Sequence, residues 1–271
     1  MRTSNRIEVN AVFPVAFVGF LLSAVLGGEA AGADDVRAAV EQFRAGYTVW
    51  DGTALSDAAD ALGAACRKSP DDPVCHYWLA VTCFHLLLYR MEKAEDAGDG
   101  EDYGGMTGRA RAALERVLRL EPADSETHAM LGIVAGIEIR RAPVKALWLG
   151  PAVVRHRAKA NRYGPRNPRT QYLIGVGHLR GEDGREGAST ALPILLKAEA
   201  LFARESEGKR DALAPAWGHD HCLAFIGQAY QRMGYREEAE AYCRKALAVN
   251  PACGLARRFL EQLDEAGGAH E

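Results

Sequence analysis

The chain has 271 residues, 48% of them hydrophobic, 25% charged and 8% aromatic, which excludes a disordered, collagen-like or coiled-coil chain and leaves room for one large domain or two small ones. Its 33 lysines and arginines stand against 36 acids, a net charge of −3, so no global basic excess points to nucleic acid.

At the N-terminus Arg2 and Arg6 precede an uncharged, mostly apolar stretch, 9–28, and small residues ending Ala31-Gly32-Ala33 stand just before Asp34-Asp35. A positive end, an apolar core and a small-residue site in that order describe a cleaved secretory signal. An uncleaved anchor competes, because the stretch approaches the roughly 20 residues that span a bilayer. Its glycines and the Ala-x-Ala site favour cleavage. The expected organisation is a signal over 1–33 and one folded domain over 34–271, located in the periplasm.

Export makes disulfides available to the six cysteines, at 66, 75, 83, 222, 243 and 253. Cys66 and Cys75 flank the turn 67–74 between two expected helices and lie equally far from its middle, where Cβ atoms come within about 4 Å. They are the expected pair. Cys243 and Cys253 match less well, because a helix continues to about Val249, and Cys83 and Cys222 read as buried thiols.

Further along, Ala58, Leu62, Ala65 and Cys66 keep helical spacing up to Pro70, and a helix carrying Trp78-Leu79-Ala80 follows. Residues 75–91 are hydrophobic around most of a helix circumference, which means burial on more than one side. The main reading is a central core helix. The functional alternative is an apolar groove or cavity lined by Trp78, Phe84, His85 and Tyr89. The glycine- and acid-rich run 92–105 reads as a mobile surface loop. Ala110, Leu114, Val117 and Leu118 then lead to Pro122, and Leu131-Gly132 sits on the next helix.

Between Ile139 and Gly181 stand ten lysines and arginines and not one acid. Arg155, Arg157, Lys159, Arg162 and Arg166 form the candidate cationic face, suited to phosphates, anionic headgroups or an acidic protein segment. The competing reading pairs these cations with acids of neighbouring helices. Gly175-x-Gly177-x-x-x-Gly181 has the look of a dinucleotide loop but no strand before it, so close helix packing explains it better.

From Asp220 to Cys253 the pattern is clearest. Leu223, Ile226, Gly227 and Tyr230 fall on one helical face, and Ala239, Cys243, Ala246 and Leu247 on a second. Gly227 and Ala239 are small where two backbones must approach, Gly234 ends the first helix and Pro251 follows the second. This 34-residue unit resembles the tetratricopeptide repeat, with Cys243 standing where the family pattern places a large aromatic. The segments at 58–80 and 110–132 are weaker copies, and Tyr172 to Gly175 with the helix of 192–202 a degenerate one. The fold expected is all-α, a right-handed solenoid of about eleven helices in stacked antiparallel pairs, closed by a helix over 254–264.

Enzyme signatures are mostly missing: the sequence holds no G-x-S-x-G, H-E-x-x-H, phosphate-binding glycine loop or C-x-x-C. His219 and His221 could meet at a helix start, yet no third or fourth ligand stands at usable spacing, so neither a metal nor a cofactor is expected. The resemblance implies a non-enzymatic binding or scaffold protein that takes a protein or peptide partner in the groove of the solenoid, an envelope transport system being one candidate. The alternative is a periplasmic carrier or transport-accessory protein holding a lipid or other apolar small molecule.

Overall fold

Helix starts are set by short polar side chains that turn back on free backbone amides. Asp51 accepts the amide of Thr53 at 2.9 Å, Asp124 that of Thr127 at 2.7 Å and Asn167 that of Thr170 at 3.0 Å. At the other end Gly234, at φ 89°, takes the left-handed conformation that stops its helix and lets the chain reverse within two residues. The computed structural model describes residues 22–97, 103–181, 184–206 and 211–268. Through them run α1 (Leu22–Val49), α2 (Gly52–Lys68), α3 (Pro73–Ala97), α4 (Tyr103–Leu120) and α5 (Ser125–Arg141). A short 3-10 turn, Pro143–Lys145, leads into α6 (Ala146–Tyr163), α7 (Pro168–Gly181), α8 (Gly184–Ser206), α9 (His219–Met233), α10 (Arg236–Val249) and α11 (Gly254–Gly268).

Successive helices pair as α1 with α2, α3 with α4, α5 with α6, α7 with α8 and α9 with α10, each pair stacks on the next, and α11 closes on α9 and α10. The architecture is the all-α solenoid that the sequence pattern led us to expect. Even-numbered helices bury one stripe, as α2 does with Leu55, Ala58, Ala59, Leu62, Ala65 and Cys66, and leave the other face in water. Odd-numbered helices are covered more completely. In α9 every residue from Asp220 to Ala229 is buried.

Small residues set the closest approaches. A Cβ on Gly175 would lie 2.7 Å from the Leu195 side chain, so the glycine spacing suggestive of a dinucleotide loop serves α7–α8 packing.

One sequence expectation needs adjustment. The loop expected over 92–105 is shorter, because α3 runs on to Ala97 and α4 starts at Tyr103. Glu92 explains part of this: it accepts Trp50 Nε1 at 3.0 Å and pairs with Arg258 at 2.8 Å, which fixes that part of α3. The apolar stretch assigned to a signal lies mostly outside the described residues, and the expected cleavage point at Ala33 falls within α1. No helix of the described residues is long and apolar enough to cross a membrane.

Cys66 and Cys75 form a disulfide across the α2–α3 turn with Cα atoms 5.7 Å apart, while Cys83, Cys222, Cys243 and Cys253 are buried thiols. Closing so short a loop restricts the unfolded chain by about 2–3 kcal/mol. Urea unfolding of Cys66→Ser/Cys75→Ser should show that loss relative to the oxidised protein, and equal midpoints would remove any stabilising role from the bond.

Candidate functional site

The concave side of the solenoid, expected to be an open groove, is filled by the chain itself. The segment 211–217 between α8 and α9 lies across the odd-numbered helices. Arg44 of α1 donates to Ala212 O at 2.6 Å and Ala214 O at 3.1 Å, and Trp78 Nε1 of α3 donates to Leu213 O at 3.0 Å. Trp217 buries its ring 4.9 Å from that of His85 and donates from Nε1 to Tyr77 Oη at 3.3 Å.

The apolar groove candidates are therefore corrected. Trp78, Phe84 and His85 are each at most 2% exposed and belong to the packed core, with only Tyr89 partly open and edge-on to Trp50 at 5.9 Å. Their hydrophobicity on several sides comes from being covered twice, by neighbouring helices and by α1 with the 211–217 segment. Burial depresses the His85 imidazole to about 3, so it is a neutral core residue whose Nδ1 is tied to Val81 O at 2.8 Å.

Two polar networks stitch this interior. In the first, Arg169 at the start of α7 donates from Nε to Glu126 at 2.9 Å and from its terminal nitrogens to both oxygens of Glu205, and its guanidinium lies 5.9 Å over Trp217. Glu126 also accepts from Tyr77 Oη and, at 2.7 Å, from Asn167. Burial disfavours the Arg169 charge, but the Glu126 and Glu205 carboxylates outweigh it and raise its pKa further. Arg169 belongs to the basic block of the sequence, and it is an internal strut.

The second network joins the ends of the array. Tyr47 of α1 accepts from the Gly218 amide at 3.0 Å and donates to Asp220 Oδ1 at 2.9 Å, and Asn250 Nδ2 donates to Asp220 Oδ2 at 2.8 Å and to Thr48 O at 3.1 Å. Burial raises the Asp220 pKa, but His221 and the hydrogen bonds from Asn250 and Tyr47 reverse this, so the carboxyl stays below its usual range. A cleft of about 310 Å³ opens beside it, with Tyr47, Asp220 and Asn250 on its wall. The donor atoms of Asp220, His221 and Cys253 lie within 4.8 Å of one another, all three residues buried. Burial and the Asp220 charge push the Cys253 thiol up to about 12. His219 points elsewhere and stacks on Phe202 at 5.1 Å.

Sequence reasoning missed this assembly because its hydrogen bonds join residues 30 to 202 apart, and nothing in the local pattern of Tyr47 or Asn250 marks them. Of the group, the sequence singles out His221 alone as a candidate ligand.

The cationic candidates lie elsewhere, on α6. This helix packs against α5 and only lightly on α7, and Ala160 is its one buried residue. Its outward face carries Leu147, Trp148, Pro151, Val154, Arg155, Ala158, Lys159 and Arg162 at helical spacing, Leu147 being 79% and Trp148 57% exposed. Arg155, Lys159, Arg162 and Arg166 have no acidic partner among the described residues. Arg157 instead contacts the His178 ring at 3.2 Å, and Arg162 lies 5.9 Å over Tyr163. Lys145 is paired with Glu138 at 3.4 Å. Intramolecular pairing thus accounts for Arg169 and Lys145 and leaves Arg155, Lys159 and Arg162 of α6 exposed. On the inner side of α6, His156 donates from Nδ1 to His128 Nδ1 at 3.0 Å, an assignment fixed by His128 Nε2–H on Pro122 O at 3.1 Å. Burial, then His128 and the neighbouring Arg155 and Lys159, lower the His156 pKa to about 4.

Residues 221–253, which cover α9 and α10, match the tetratricopeptide repeat. The fold is similar to that of a thermophilic tetratricopeptide-repeat protein of Thermus thermophilus, at 19% identity and a TM-score of 0.57, over 83% of this chain and 98% of that one. A MamA structure from Desulfovibrio magneticus aligns at 15% identity over 82% of this chain and 98% of that one, with a TM-score of 0.37. No curated protein matches the chain.

Proposed function

We propose that the protein is a non-enzymatic, exported helical-repeat scaffold that binds an acidic protein segment on the outward face of α6, an envelope transport component being one such partner. One observation carries the reading: on that face an exposed Leu147, Trp148 and Val154 adjoin Arg155, Lys159 and Arg162, which no described acid neutralises. Aromatic and arginine side chains together are what interface centres favour, and unneutralised cations steer an acidic partner to them. The filled concave side supports moving the site outward. Export is supported by the order of residues 1–33 and by the Cys66–Cys75 bond, which suits an oxidising compartment.

Charge reversal tests the assignment. Arg155→Glu/Lys159→Glu/Arg162→Glu should weaken binding of a fluorescent, glutamate- and leucine-rich peptide by about tenfold or more at low salt, since three exposed pairs contribute up to about 1 kcal/mol each. The wild-type affinity should fall as salt rises, and circular dichroism of the variant should be unchanged. A folded triple variant that binds the peptide as well as wild type would sink the reading, as would binding to anionic vesicles with none to the peptide.

A further inference from the structure

We propose that Asp220, His221 and Cys253 form a binding site for a borderline-soft divalent metal ion, with zinc the best chemical fit. A carboxylate, an imidazole and a thiolate are the three donor types zinc accepts, and here they converge within 4.8 Å of one another in a buried setting. The sequence alone offers only one half of this. Asp220 and His221 open α9, while Cys253 enters from the α10–α11 turn, where its amide donates to Asn250 O at 2.9 Å.

The surroundings are those of a held site. Tyr47 and Asn250 each donate one hydrogen bond to a different Asp220 oxygen, at 2.9 and 2.8 Å, which orients the carboxylate. The His221 ring is clamped edge-on to Trp50 at 5.1 Å and against Tyr47 at 5.3 Å, and neither of its nitrogens is hydrogen-bonded to a described residue. An imidazole with both nitrogens uncommitted to protein can accept a ligand bond.

Charge supplies the independent argument. Asp220 is buried, no lysine or arginine among the described residues forms an ion pair with it, and its charge is offset by His221 and by the hydrogen bonds from Asn250 and Tyr47. A divalent ion held by both Asp220 and His221 would neutralise the carboxylate directly. On coordination the Cys253 S–H bond breaks, its proton leaves to solvent and the sulfur lone pair forms the metal bond. One carboxylate and one thiolate then balance the 2+ charge, with His221 neutral. Asp220 also lines the cleft shared with Tyr47 and Asn250, and a water would complete the fourth position of a tetrahedral site. Three protein ligands drawn from α9 and the α10–α11 turn, with Tyr47 of α1 behind them, would lock the first and last helices of the array together.

The test uses the full chain, stripped with chelator and titrated with cobalt(II) as a spectroscopic stand-in for zinc. One equivalent should bind with a thiolate-to-cobalt charge-transfer band that zinc then abolishes. Cys253→Ser, nearly isosteric, should lose that band and bind at least tenfold more weakly, whereas Cys222→Ser and Cys243→Ser should keep it. Tyr47→Phe should weaken binding about tenfold through the carboxylate it orients. Zinc should raise the melting temperature of wild type and not of Cys253→Ser. Absence of stoichiometric binding at neutral pH, or a band that survives Cys253→Ser, would overturn the proposal. Neither result bears on peptide binding by α6.

Discussion

Arg169→Ala is expected to lose about 3–5 kcal/mol of folding stability, since it removes one member of a buried ionic network and leaves the rest in place. Arg169 and Glu126 are 4% and 5% exposed, so Glu126 would keep its charge with no cation beside it and only Tyr77 and Asn167 as donors. Glu205 would lose two hydrogen bonds, and Trp217 the cation over its ring. Thermal unfolding should fall by on the order of 10 °C for a chain of this size. Arg169→Met/Glu126→Gln should recover part of the loss, because removing both charges avoids the orphaned anion. A single variant that loses under about 1 kcal/mol, or a double variant worse than the single, would mean the network contributes little. The effect separates Arg169 from its neighbours in sequence: Arg166→Ala, three residues earlier and exposed, should change stability by less than about 0.5 kcal/mol.

Gly227→Leu is the second large expectation. A Cβ at this position would lie 2.7 Å from Cys243 Sγ and 2.9 Å from the backbone oxygen of Ala239. The sulfur can shift, but the carbonyl oxygen belongs to the α10 backbone and moves only with the helix. Overpacking usually costs about 1–3 kcal/mol, and a leucine driven between two backbones belongs at or above the top of that range. Lys245→Ala is the control on the same pair of helices. Its ammonium lies 3.5 Å from Glu199 and 4.1 Å over the Tyr242 ring, half-exposed, so its loss should stay under about 1 kcal/mol. Urea unfolding of the two variants decides, and equal midpoints would contradict the α9–α10 packing described above.

The same two positions show how far the sequence could be read. Gly227 and Ala239 were legible because a helix pair is a local object: its spacing, its small residues and its glycine stop lie within 34 residues and constrain one another. The α9–α10 unit, the paired helices upstream and the all-α class follow from such local patterns. Arg169 was misleading for the opposite reason. Counting charge along 139–181 cannot see that its carboxylate partners stand 43 and 36 residues away. The filling of the concave side by Leu213 and Trp217 was equally hidden, since a segment with alanine, proline and one tryptophan has no period by which to place it. Arg155, Lys159 and Arg162 remain exposed as the sequence suggested, but Leu147 and Val154, which join Trp148 in the apolar half of that face, were not singled out. Exposure of a tryptophan is a property of the stack and not of its neighbours in sequence.

Linear arrays of stacked repeats behave like a row of dominoes: each unit rests on its neighbours alone, stability adds along the row and the ends peel away first. The bonds from Tyr47 to Asp220 and from Asn250 to Thr48 O span 173 and 202 residues and bring the first described helix against the last repeat. An end that peels must break contacts with the opposite end, so fraying at either is felt at both. Such an array should stretch less than an open solenoid and melt in a single cooperative transition. Its folding carries a matching delay, because the pairing of Tyr47 with Asp220 waits until nearly the whole chain between them has found its place.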